Sequence, residues 1–239
     1  MSTLLLRLAG PLQAWGSSSK FNTRGTNREP TKSGVIGMIA SAMGRSRDEN
    51  IEDLSCLRFG IRVDQEGEFL RDYHVVQNPA AEDPFVTNRH YLSDALFIVG
   101  LEGNDDLLKD IECAMKSPEY PLFLGRRACP PTMPIVLGIR NIPMLDALRN
   151  EPWMAADWYR KKDSPHINLR IIVDALEWDE LPITTRDLPI SYSQSHRKHG
   201  LRNVVHCSTG PIDNPLSKKI KSRTDHDPIA TVRAFNGGE

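Results

Sequence analysis

Residues 21–34 read FNTRGTNREPTKSG and set three cations, Arg24, Arg28 and Lys32, among hydroxyls and glycines. An apolar run at residues 4–9 precedes the segment, and a helix-like pattern begins near Val35. Backbone N–H groups at a helix start lack intrahelical acceptors and favour anions. Arginine adds forked donors that match phosphate, lysine a point charge. Arg24, Arg28, Lys32 and Ser33 are therefore expected to hold a polyanion. Thr31-Lys32-Ser33 shares its last two residues with a nucleotide-binding loop. Such a loop needs glycine directly before the lysine, where this chain has Thr31, and Pro30 stiffens the approach. A phosphodiester fits this pattern better than a hydrolysable nucleotide.

A second basic corner, Gly125-Arg126-Arg127, follows Tyr120. Glycine permits close backbone approach, and paired arginines can grip phosphates or stack on bases. Arg89 ends a segment, residues 77–90, whose two prolines, Asn and Asp break the strand pattern and read as a projecting hairpin. Trp15 is expected to pack against the core. Metal-independent RNA cleavage needs a general base near the 2′-hydroxyl and a general acid at the leaving oxygen. His74 with Tyr73, or His196 and His199 with Lys198, have the right side-chain types. His196, His199, His206 and Cys207 match no standard zinc spacing. No paired-carboxylate cluster or Gly-x-Ser-x-Gly motif occurs. Neither a metal nor a cofactor is expected.

Among 239 residues, 39% are hydrophobic and 26% charged, as in ordinary globular chains, and the net charge is −1. The charge is unevenly spread. Residues 1–50 carry seven Lys/Arg against three Asp/Glu, and residues 186–239 carry nine against five, so residues 51–185 have a net charge of −9. Local field decides where a polyanion docks, and the two basic ends could share one face. Four scattered cysteines form no CxxC pair, and no apolar run reaches membrane length. A reducing cytoplasm without membrane attachment is the simplest setting.

Apolar periodicity places strands at residues 3–9, 57–63, 69–76, 91–101, 135–139 and 168–176, a short extended piece at 120–124, and helices at 31–43 and 105–115. Thr31 or Ser33 can cap the first helix and Gly44 can end it. Residues 186–239 are polar and rich in turn formers and read as mostly irregular. The order strand, helix, strand, strand, helix, strand predicts an α+β, ferredoxin-like antiparallel sheet, an arrangement shared with RNA-recognition motifs. Arg58-Phe59-Gly60-Ile61 lacks the aromatics of a base-stacking RNP1 strand, so loops would have to hold RNA.

The stretches LLLRLAGPLQAWG (4–16), TRGTNREPTKSGVIGMIASAMG (23–44), LRDYHVV (70–76), RHYLSDALFIVGL (89–101) and YPLFLGRRACPP (120–131) occur in that order, with DHDPIATV (225–232) near the end. Together they resemble the CasD ("Cas-five") family of E-subtype type I CRISPR systems, of the RAMP superfamily. The resemblance implies a RAMP domain over residues 1–145 with a thumb inserted at 77–90, and a C-terminal extension, 146–239, completing it. It implies a non-catalytic Cascade subunit that caps the 5′ handle of the CRISPR RNA, beside a backbone subunit and the large PAM-reading subunit, with target DNA in the assembled complex. Arg24, Arg28, Lys32 and Ser33 would hold handle phosphates, Tyr120, Gly125, Arg126 and Arg127 would line the same groove, and Arg89 would act at the thumb base. In the C subtype a related protein cuts precursor RNA itself. A metal-independent endoribonuclease is accordingly the alternative.

Overall fold

Leu4, Leu5, Leu6 and Leu8 are consecutive or nearly so, yet all four are fully buried. That pattern requires a central strand covered on both faces. The structure is a computed structural model that describes residues 2–16, 22–77, 84–177, 179 and 181–219. Its elements are β1 (Ser2–Ala9), β2 (Leu12–Gln13), β3 (Thr23–Arg24), α1 (Lys32–Ala42), α2 (Glu52–Ser55), β4 (Arg58–Gln65), β5 (Glu68–Val76), β6 (Phe85–Ser93), β7 (Leu96–Gly103), α3 (Asp105–Lys116), β8 (Val136–Arg140), α4 (Met144–Asn150), α5 (Asp157–Lys162), β9 (His166–Asp174), β10 (Ile183–Ser191) and β11 (Lys198–Asp213).

Seven strands form one antiparallel sheet in the order β10-β11-β9-β4-β7-β1-β8. Successive side chains of a strand point to opposite faces. Leu4, Leu6 and Leu8 accordingly join Val35, Ile36 and Ile39 of α1 and Leu108, Ile111 and Met115 of α3 in the main core. Leu5 and Ala9 meet Met144, Ala147 and Leu148 of α4 on the other face. Thr31 caps α1 by accepting a hydrogen bond from the Gly34 amide at 3.1 Å, and Asn104 caps α3 through the amides of Asp106 and Leu107.

A second, smaller sheet stands beside the first. Its β5 and β6 form a hairpin in register from Glu68↔Ser93 to Val76↔Phe85. The other edge of β6 receives β2 at Leu92 and Ser93, and β3, in parallel, at Asn88 and Arg89. The expected break over 77–90 is therefore mostly strand from Phe85 onward, with residues 78–83 outside the described residues. The single strand expected at 91–101 is two. Asp94, at φ 55°, turns the chain from β6 into β7, so residues on either side belong to different sheets. The stretch expected to be extended at 120–124 pairs with no strand and is held by turns.

The largest departure is at the C-terminal end. Residues 186–219 are not mostly irregular: β10 and the sixteen-residue β11 extend the seven-stranded sheet beyond β9. Pro189 is tolerated because β10 lies at the sheet edge, where a missing N–H costs little. Bulges between Thr185 and Leu188 and between Ser208 and Pro211 blur the period-two pattern. DHDPIATV, at 225–232, lies outside the described residues.

Arg62 on β4 carries a charge with no solvent exposure. Its guanidinium pairs bidentately with Asp64, itself buried, at 2.7 and 2.9 Å. It also donates to the Leu148 and Pro152 carbonyls at 2.7 and 2.8 Å, closing the end of α4. Removing one partner of such a pair leaves the other charge buried and uncompensated. Arg62→Leu is expected to lower unfolding free energy by about 3–5 kcal/mol, read by urea titration. A loss below about 1 kcal/mol would contradict this role.

Candidate nucleic-acid interface

Gly125 sits at φ +83°, and a Cβ there would lie 1.8 Å from the Ala14 carbonyl oxygen. Only glycine lets the 124–129 corner press this closely on the segment after β2. The contact is stitched by backbone hydrogen bonds, Ala14 N–H to Leu124 O at 3.1 Å and Leu124 N–H to Cys129 O at 2.7 Å. The first basic loop is tied to the same place. The Trp15 amide donates to Thr26 Oγ1 at 2.8 Å, and the Asn27 amide donates to the Trp15 carbonyl at 2.8 Å. Trp15 is 1% exposed, its indole donating to Gln13 Oε1, so it is core and not a stacking platform.

Arg126 joins the two corners. Its guanidinium donates to the carbonyls of Arg24 (2.7 Å), Gly25 (3.0 Å) and His90 (3.0 Å), and lies 4.8 Å from the centre of the Tyr91 ring. It is thus a clamp across two loops and β6, with three of its five N–H donors directed to protein carbonyls. Around this clamp runs a cleft of about 180 Å³ whose walls include Arg24, Thr31, Ser33, Gly125, Arg126 and Arg197. A longer groove of about 670 Å³ shares Ser33, Gly34, Gly125 and Arg197 with it and continues past Tyr120 to Arg45 and Arg47. Tyr120 is 53% exposed. Arg127 is exposed beside the clamp and has no partner among the described residues.

Lys32 departs from the expectation. Its ammonium points inward, 5% exposed, and bonds Asp174 Oδ2 at 3.1 Å. Its backbone amide, at the start of α1, donates to Asp187 Oδ2 at 2.8 Å. Arg202 completes the cluster through Asp187 Oδ1 (2.6 Å) and Asp174 Oδ1 (2.6 Å). The anion expected at this helix start is thus the carboxylate of Asp187, supplied by the protein itself. Two cations and two carboxylates balance here, leaving Lys32 nothing to offer a phosphate.

Arg28 is exposed and sits 4.8 Å from the Phe69 ring centre on the hairpin; it does not line either groove. Arg89 on β6 pairs in register with Arg24 and, on its other side, with Asp72. Its Nε is buried with no hydrogen-bond partner among the described residues. Arg24, Ser33, Tyr120, Gly125 and Arg126 are therefore brought together around connected grooves, Arg127 and Arg89 flank them, and Arg28 and Lys32 point elsewhere. Sequence reasoning missed Arg197, Tyr192 and the acids Asp174 and Asp187. Alternation in Leu188-Pro189-Ile190-Ser191-Tyr192 was the available signal, masked by Pro189.

His74 lies on the exposed hairpin with Nε2 against Asp72. His206 and Cys207 are neighbours on β11 and face opposite sides of it, which separates them as ligands. Among the described residues no group of three or more His, Cys, Asp and Glu is arranged to hold a metal, and no helix is long and apolar enough to cross a membrane.

A protein of mixed helices and antiparallel strands whose arginines gather on loops at the meeting of two sheets can take an anionic strand. Comparison with known proteins agrees on one family. The model of the CRISPR-associated protein (Cas_Cas5) family matches residues 3–205. The CRISPR system Cascade subunit CasD of Escherichia coli (strain K12) is 37% identical, over 74% of this chain and 94% of that one. A solved structure described as a Cas protein is 36% identical, with a TM-score of 0.68 over 87% of this chain and 94% of its own. A chain of a CRISPR RNA-guided surveillance complex is 26% identical, with a TM-score of 0.73 over 97% of this chain and 99% of its own. The chain belongs to the CRISPR-associated Cas5 family.

Gly125→Ala tests the corner itself. The added methyl meets the Ala14 carbonyl and the positive φ is strained, so the variant is expected to lose about 2–3 kcal/mol of stability, read as a lowered melting temperature. Wild-type melting would contradict the close approach.

Proposed function

We propose that this chain is a non-catalytic RNA-binding subunit of a type I-E Cascade complex, in which it caps the 5′ handle of the CRISPR RNA. The observation that carries the proposal is the convergence of the Arg24 loop and the Gly125–Arg127 corner on one cleft. The likeness to the CasD subunit of Cascade and to a chain of an RNA-guided surveillance complex supports the setting. In it, Arg24, Ser33, Tyr120 and Arg127 face handle phosphates and riboses. Gly125 and Arg126 shape the cleft, and Arg89 and Arg28 serve the base of the β5–β6 hairpin. Backbone contacts of this kind give affinity that falls with salt. Handle bases would be read on splayed nucleotides, since A-form grooves hide their edges. Target DNA would be recognised by guide pairing.

The strand order β4-β7-β1-β8, with α1 and α3 on one face, supports a ferredoxin-like RAMP core over residues 1–145. The β5–β6 hairpin is then the thumb, and residues from 146 onward complete the domain by adding β9, β11 and β10 to the same sheet. The backbone subunit of Cascade and the large PAM-reading subunit are its protein partners in this account.

Arg24→Ala combined with Arg127→Ala is expected to release handle RNA from the complex at least about tenfold more readily, with melting unchanged, as measured by RNA retention after purification. Full retention would contradict the assignment. Incubation of the protein with repeat RNA in EDTA is expected to leave the RNA intact; discrete cleavage lost in His74→Ala would establish the endoribonuclease instead.

A further inference from the structure

The β10–β11 connection, residues 192–197, reads Tyr-Ser-Gln-Ser-His-Arg. It belongs to the C-terminal addition, yet it reaches the N-terminal helix. The Tyr192 hydroxyl donates to the Ser33 carbonyl, and Gly37 of α1 lies so close that a Cβ there would be 3.4 Å from the Tyr192 ring. Arg197 lines both the small cleft and the long groove, as Gly125 does. It is exposed, with no hydrogen-bond or ion-pair partner among the described residues. Two other cations on these walls are engaged, Arg126 in its carbonyl clamp and Arg45 in a bidentate pair with Asp53, so Arg197 joins Arg24 and Arg47 as the cations these walls leave open. Burial first, then the charges of Arg197 and Arg186 against the opposing carboxylate of Asp187, holds the neighbouring His199 below its ordinary pKa. The strands that carry the connection are tied to α1 by the Asp187, Arg202, Asp174 and Lys32 cluster, which fixes where the connection leaves the sheet.

We infer that the β10–β11 connection is the second jaw of the groove, and that Arg197 binds the ribose-phosphate backbone of the single RNA strand clasped from the other side by the Gly125 corner. The inference rests on the RNA-binding reading of this cleft and adds a wall and a cation to it. Arg197's forked donors match a phosphate diester. The contact is to backbone, so it adds affinity without base preference.

The test uses the full chain and a short fluorescein-labelled single-stranded RNA, titrated at several salt concentrations. Arg197→Ala is expected to weaken binding about tenfold and to reduce the slope of log K against log salt by about 0.7, the value for one phosphate contact on a single strand. Arg197→Lys should keep the slope and lose part of the affinity. Lys109→Ala, on the exposed face of α3, controls for loss of a distant charge and should change neither. Binding weakened in Arg24→Ala but unchanged in Arg197→Ala overturns the second jaw alone. Absence of RNA binding by the wild type overturns the RNA reading and the jaw together. Melting curves of all variants should coincide; an Arg197→Ala protein that melts early yet keeps the full salt slope assigns the residue a structural role and overturns the inference.

Discussion

The start of α1 is held by a closed circuit of charge. Asp187 takes the first helical amide at 2.8 Å and shares Arg202 with Asp174, while Asp174 takes the Lys32 ammonium and the Phe59 amide. Every member has a partner, which is the condition under which buried ions are tolerated. The circuit spans α1 and β4 from the N-terminal half and β9, β10 and β11 from the C-terminal half, with bonds between the halves crossing more than a hundred residues of chain. Thr31 and Ser33, which line the cleft, sit directly on it. The position of the basic loop is therefore set from the C-terminal side of the molecule.

A helix start is an attractive place for a phosphate, and here it is filled by a carboxylate. The same device recurs at α4, whose first amide donates to the buried Glu102 on β7 at 2.6 Å. Spending helix starts on internal acids leaves anion binding to side chains on loops. It also explains how a chain with a net charge of −1 keeps a positive groove: several acids are turned inward against strands, and Arg24, Arg127 and Arg197 remain outside. Rigidity comes from glycine where backbone meets backbone, as at Gly125, and from Arg126 where loops must be joined.

Much of the first half was legible because its signals are local. The Leu4–Leu8 run, the Thr31 cap and the spacing of Leu108, Ile111 and Met115 each state their own element. That the two basic corners share one groove was implied by the family resemblance and not by any local signal. Lys32 was misread because its charge looks the same in sequence whether it faces solvent or Asp174, 142 residues away. Arg126 was read as a ligand group for the same reason; its three carbonyl acceptors are invisible without the fold. The C-terminal strands escaped because β10 is an edge strand carrying Pro189 and β11 is bulged and mostly half-exposed, so neither shows a clean period.

The account stands on one strand of RNA lying between the two corners and against the C-terminal jaw. Photocrosslinking of the protein to RNA carrying 4-thiouridine, followed by mass spectrometry of the attached peptides, locates that strand directly. The account predicts crosslinks concentrated on residues 22–33, 120–127 and 192–198. Crosslinks concentrated instead on α4 and the opposite face of the large sheet, with these three segments unmarked, would contradict it.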